Sequence, residues 1–412
     1  MFRSLPFRAS HLIACLMLCL VLAPGCAPKK SATGPAKIVI WSQMDPEERA
    51  RFEKNIAAYQ AAHPGVTIEN VPYDTENLRQ QFQTAAAGGG GPQLIFGPSD
   101  QVGPLSLLEL IRPLDETMPK GFFDRFVPQA LDTLNGHLWA APDQVGNHLL
   151  LCYNKKLVPV PPANATEFLE MAKKLTKDGV YGFAMNVNEP YWLAPFLAGY
   201  DGWVFAADGK PSLDTPAMRD ALGYVALLKS KATGIMPAEC DYQIAETLFL
   251  EGKAAMIVNG PWSWAAYRKG GVDLGIAPLW VLPNGKHAMP MIASKGYSIS
   301  VNVPKEQLDA VIDFVTFCTS PEAELRDAVA LGVLPSHKDA WNAPEITSDP
   351  TLKISQDAFT MGRRMPVVPE MRVVWDVMRP GLQKVMNGSM SPADAAKEMQ
   401  AAAEQQIAGM KR

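Results

Sequence analysis

The first apolar run in the body of the chain, Lys37 to Ser42, is long enough for one strand. Asp45-Pro46-Glu47-Glu48 then reads as a helix start, with a capping carboxylate, proline at the first helical position and Glu three residues after the cap. Phe52, Ile56 and Tyr59 recur at helical spacing, and His63-Pro64-Gly65 stops the run. Val66 to Ile68 predicts a second strand, Glu76 to Ala87 a second helix, and Gln93 to Phe96 a third strand. This alternation predicts βαβ units, a largely parallel sheet and an α/β fold.

The pattern continues along the chain. Strands are expected at 149–153, 181–185, 254–258, 274–279 and 297–301. Helices are expected after the capping box Asn164–Glu167, at 214–231, 242–250, 305–318 and 322–331, with several more from Pro350 onward. The aromatic-rich stretch 186–206 has no clear period. Gly88 to Gly91 lie after a helix and before a strand, the reverse of the order a phosphate-binding loop requires, so they predict a flexible turn.

The N-terminus has a different character. Arg3 and Arg8 precede an apolar run from Leu12 to Leu22, and Ala23-Pro24-Gly25-Cys26 follows. A basic start, a short apolar run and a small residue before the cut describe a signal peptide over residues 1–25. Gly25-Cys26 also resembles a bacterial lipobox, which would make Cys26 the lipid-bearing mature N-terminus. Ordinary cleavage, leaving Cys26 a plain thiol, is the alternative. Residues 26–36 read as a polar tether, so the expected arrangement is anchored to a membrane and not spanning it. No interior run reaches the roughly 18 apolar residues of a membrane span.

Composition narrows the classes further. With 412 residues, 48% hydrophobic and 19% charged, the chain can bury the cores of two or three domains. A net charge of −4 argues against nucleic acid as the main partner. Cys15 and Cys19 fall in the signal; Cys152, Cys240 and Cys318 are scattered, without metal-ligand spacing, and read as buried small hydrophobes. His11, His63, His137, His148, His287 and His337 are equally scattered and read as surface or internally satisfied histidines. No zinc-protease, nucleophile-elbow, Cys-x-x-Cys or phosphate-loop motif occurs. Spacing alone neither marks nor removes a carboxylate pair for glycoside hydrolysis. No cofactor or metal is expected.

The placement of the aromatics is more informative. Glu189-Pro190-Tyr191-Trp192 sets a carboxylate beside two rings, and Asn259-Gly260-Pro261-Trp262-Ser263-Trp264 puts two indoles after a strand and a Gly-Pro turn. Met365-Pro366 precedes Trp375 and Arg379, which share a helical face at i, i+4. A single Trp is more often core than site. Rings repeatedly flanked by polar groups near turns instead suit a carbohydrate cleft, where flat faces cover pyranose C–H and polar groups bond the hydroxyls.

The segment from Phe249 to Trp264 resembles the signature of extracellular sugar-binding proteins of ABC importers. Asn188–Tyr191, Asp241–Glu246 and Met365–Met371 with Trp375 and Arg379 are similar to maltose/maltodextrin-binding proteins in particular. That resemblance runs in order from about Lys37 to the C-terminus and implies two α/β lobes joined by a hinge, each discontinuous. One lobe would comprise 37–145 with 294–342, and the other 146–293 with 343–412. By resemblance, Tyr191, Trp262 and Trp375 stack on glucose rings beside Trp192, Glu189 and Arg379 bond hydroxyls, and Met365 lines the cleft. Asp45, Asp100, Gln101 and Asn147 fall at site positions of the other lobe. There the family pattern changes: Gly97 stands in place of a stacking Trp, Gln101 of an Arg, Pro46 of a Lys and Asn147 of a Glu.

The resemblance implies an exported, monomeric binding component that makes and breaks no bond. It would hold a maltodextrin-type α-glucoside between its lobes and present it to the permease subunits of an ABC transporter. The alternatives are a binder of another oligosaccharide or polyol and, from a different class, a secreted carbohydrate-active enzyme.

Overall fold

The computed structural model describes residues 36–410. The expected signal peptide, Cys26 and nearly all of the tether lie outside them.

Strand β1 (Ala36–Ser42) buries Ile38 and Ile40 completely. It pairs in parallel with β2 (Val66–Pro72) on one side and β3 (Leu94–Pro98) on the other. Helix α1 (Pro46–Ala62) crosses between β1 and β2, and α2 (Thr75–Ala87) between β2 and β3. The helical spacing of Phe52, Ile56 and Tyr59 lays them on one face, against Phe96, Tyr297 and Phe314. Asp45 occupies the N-cap position of α1, but its side chain makes no capping hydrogen bond. The expected capping box is absent because both its acids are engaged in or beneath the cleft described below.

A small hairpin, β4 (Thr133–Leu134) with β5 (His137–Leu138), leads to β6 (Ala141–Gly146). The chain then enters a second sheet through β7 (Leu150–Asn154), β8 (Tyr181–Ala184), β9 (Ala254–Asn259) and β10 (Leu274–Ala277). It returns through β11 (Met291–Ile299), β12 (Leu334–Pro335) and β13 (Arg363–Arg364). The first sheet runs β12-β6-β11-β3-β1-β2, with β13 at the end of β11; the second runs β10-β7-β9-β8. Each holds a parallel set, but neither is parallel throughout. β11 is antiparallel to both β3 and β6, and β7 is antiparallel to β9 and β10, because these strands begin or end a passage between lobes.

The strand expected at 297–301 is the distal part of β11, which starts six residues earlier. Ser294-Lys295-Gly296 interrupts the apolar run, yet all nine residues of β11 are buried. Asn164 does cap its helix (Ala165–Leu175), accepting from the backbone of Thr166 and Glu167. The irregular stretch 186–206 forms a single turn, Pro190–Trp192, and a short helix, Ala194–Gly199. Cys152, Cys240 and Cys318 are buried and unpaired.

The second lobe has the larger core, in which Phe168 stacks on Trp280 with ring centroids 3.7 Å apart. A separate core around Phe52, Phe96 and Phe314 lies under the first sheet. Ile346, Leu352 and Phe359 pack with Val145, Ile292 and Leu334 in a third, smaller core, while Ala358 joins the larger one. The helix Glu370–Met386 then carries Val374, Trp375 and Met378 into the second lobe. Among the described residues no helix is long and apolar enough to cross a membrane.

Candidate functional site

Between the lobes lies a cavity of ≈ 700 Å³. Ten of the eleven sequence-selected residues line it: Asp45, Asp100, Asn147, Glu189, Tyr191, Trp192, Trp262, Met365, Trp375 and Arg379.

The second-lobe wall is aromatic, and its rings are braced. Trp262 lies over the turn that follows β9, where a Cβ on Gly260 would run into the indole; that position must be glycine for the ring to lie flat. Its Nε1 donates to the Tyr242 hydroxyl at 3.2 Å. Behind it, Glu246 accepts from Asn259, Ser263 and Tyr267. Trp192 is edge-on to Tyr191, Trp262 and Tyr242, and donates to the Val258 carbonyl at 2.9 Å. At 9% exposure it supports the other rings more than it faces the cavity. Tyr191 donates to the carbonyl of Asn147, a residue in the left-handed region at φ 36°. Arg379 Nε donates to both oxygens of Glu189, at 3.0 and 3.1 Å.

Trp375 lines the cavity, yet is only 6% exposed and belongs to the second-lobe core, so it is both wall and packing. Its Nε1 donates across the cleft to Asp100 at 3.1 Å.

The first-lobe wall is polar. Burial, with Glu48 close by, pushes the Asp45 carboxyl up to about 7 against the opposing pull of Lys295. Burial likewise raises Asp100 to about 6, opposed by Arg79 and the Trp375 hydrogen bond. Gln101 does not reach the cavity. Its amide packs against Gly97, where a Cβ would collide with it, and both amide atoms lack a partner.

Gln43, Arg49, Tyr73, Glu76, Gln144, Tyr242 and Lys295 also line the cavity and were missed. Tyr242 belonged to a motif already singled out. Glu76 and Arg49 looked like ordinary exposed helix residues. Tyr73, 5.0 Å from Trp41, supplies this wall with a ring that no local pattern announced. Ion pairs also span the lobes, from Glu76 to Arg372 and Arg379 and from Glu47 to Lys269.

Residues 54–354 match the family described as bacterial extracellular solute-binding protein. This chain belongs to that family. A solved structure of a maltose/maltodextrin-binding domain from Bdellovibrio bacteriovorus, bound to maltotriose, is 40% identical to this solute-binding protein. It covers 90% of this chain and 100% of its own, with a TM-score of 0.88. A maltotriose-binding protein of Pyrococcus abyssi is 29% identical over 87% of this chain and 79% of its own. A galactooligosaccharide-binding protein of Bacillus subtilis is 26% identical over 97% of each. The two-lobed fold implied by the sequence resemblance is therefore that of the solute-binding family.

Proposed function

We propose that this solute-binding protein captures an α-linked glucose oligosaccharide of the maltotriose class between its lobes and presents it to ABC-transporter permease subunits. The observation that carries this reading is the cavity itself: Tyr191, Trp262 and Trp375 on one wall face carboxylates and amides on the other. Rings offer area to the apolar faces of sugars, and the polar wall offers partners for their hydroxyls. The likeness to a maltotriose-bound structure supports the choice of sugar. The lobes are 37–145 with 294–342 and 146–293 with 343–412, and 344–361 touches both. Closure buries the ligand and creates the form a permease reads. No bond is cleaved; the protein acts as a monomer, held at the membrane by lipid on Cys26.

A thermal-shift titration tests the ligand. Maltotriose at 100 times its dissociation constant should stabilise the fold by about 2.7 kcal/mol, without metal or nucleotide and without release of shorter sugars. The galactooligosaccharide-binding relative favours a second reading. A shift with galactooligosaccharides and none with α-glucans would establish that one instead. Detergent partitioning tests the anchor: wild type should enter the detergent phase and Cys26→Ala should stay in the aqueous one.

A further inference from the structure

The floor of the cleft holds a cation that a ring-based account leaves without a role. Lys295 sits on β11, is 6% exposed and lines the cavity. Beside it the pairing of β11 with β6 slips by one: Lys295 faces Gln144 and Gly296 faces Pro142, leaving Asp143 without a partner. Such bulges re-aim neighbouring side chains.

Beneath the cleft, Lys295 Nζ donates to both oxygens of Glu48, at 2.9 and 2.7 Å. Gln144 Nε2 donates to the same carboxylate at 2.6 Å. Glu48 lines a separate void of ≈ 20 Å³ under the cleft, whereas Lys295 lines the cleft and not that void. Lys295 thus joins the cleft lining to the Glu48 carboxylate, with Phe96 flanking the ammonium at 5.1 Å from the ring centroid. An ammonium has three N–H donors. Two are given to Glu48, and among the described residues no hydrogen bond takes the third.

We propose that Lys295 is a specificity-determining residue, donating its third N–H to one ring hydroxyl of the bound saccharide. Glu48 and Gln144 are positioning residues that fix the ammonium. The inference rests on the reading of the cleft as an oligosaccharide site. A charged donor held in a desolvated floor, with Asp45 on the same cavity wall, suits a hydroxyl that accepts from one group and donates to the other. A site built in this way discriminates strongly against an analogue lacking that hydroxyl.

Calorimetric titration of the full chain with maltotriose and its monodeoxy analogues tests the assignment. The proteins compared are wild type, Lys295→Met, and a double variant carrying Glu48→Gln and Lys295→Met. The double variant avoids an unpaired buried carboxylate, so the comparison survives if the single variant fails to fold. In wild type, one analogue should bind about tenfold or more weakly than maltotriose. The variants should bind maltotriose about tenfold more weakly, with no added loss for that analogue. Undiminished losses for every analogue in both variants would overturn the Lys295 role while leaving the cleft reading intact. Wild type that fails to bind maltotriose at all would overturn the cleft reading and this assignment with it.

Discussion

The two walls of the cleft are built on different principles. The second-lobe wall is a braced panel: its rings lie edge-on to one another, and their polar atoms are spent on the protein itself. The first-lobe wall is a set of polar groups gathered from distant parts of the chain, with two carboxyls held well above their ordinary range. One wall supplies area and shape; the other supplies hydrogen bonding and an electrostatic response. Area is worth most when the ring is rigid before the ligand arrives. Polar wall groups keep their value only while they are not satisfied by one another.

Trp375 offers the sharpest way to break the comparison, because it belongs to wall and core together. Trp375→Ala should cost about 3–5 kcal/mol in unliganded stability as well as weakening sugar binding. Trp262 is only partly buried, so Trp262→Ala should leave unliganded melting almost unchanged. It should still cost about 2 kcal/mol of binding, more than tenfold in affinity. Melting curves and titrations on both variants check the pair. Equal stability losses would show that the aromatic panel is packing throughout.

The polar wall should reveal itself through pH. Asp45 and Asp100 have an ordinary pKa of 3.8, raised in the fold to about 7 and about 6. The folded state therefore keeps protons that the unfolded state has released. The stability this provides is fully present below pH 4 and is lost as pH rises through 6 and 7. Burial pushes His148 down to about 4, so its contribution runs the other way, but only below its ordinary 6.5. Between pH 6.5 and 8.5 the melting temperature of the unliganded protein should fall, and Asp45→Asn should flatten that fall. A slope unchanged by Asp45→Asn would show that Asp45 is solvated like any surface carboxylate.

The smallest effect belongs to the rim. Lys269 is largely exposed where it pairs with Glu47 across the lobes, so Lys269→Ala should change binding by under about 1 kcal/mol. High salt should erase even that difference.

The same contrast explains what could be read from the sequence. The aromatic panel comes from short local motifs, Glu189–Trp192, Asn259–Trp264 and Met365–Arg379, each carrying its rings and polar flanks within a few residues. Elements with a clean apolar period were legible too, as at Tyr242–Leu250 and Lys305–Cys318. The polar wall carries no such local mark. Asp45 and Glu48 look like a capping box because local spacing cannot reveal that Lys295 lies 247 residues away and takes Glu48 for itself. That pairing also hides the start of β11, since a lysine inside an apolar run argues against a buried strand until its partner is known. Gln101 failed for a related reason: the space above Gly97, free of a side chain, lets the amide fold away from the cavity.

The position of β11 also bears on biosynthesis. Between β3 and β6 the first sheet needs a strand that ends only at residue 299. A nascent chain that has made every residue up to β10 still has an open gap in the middle of its first lobe. Closing that gap means joining segments far apart in sequence, which is slow. A polypeptide with this order of assembly cannot lock its first lobe until β11 has been made, so that lobe stays open for most of the chain's synthesis.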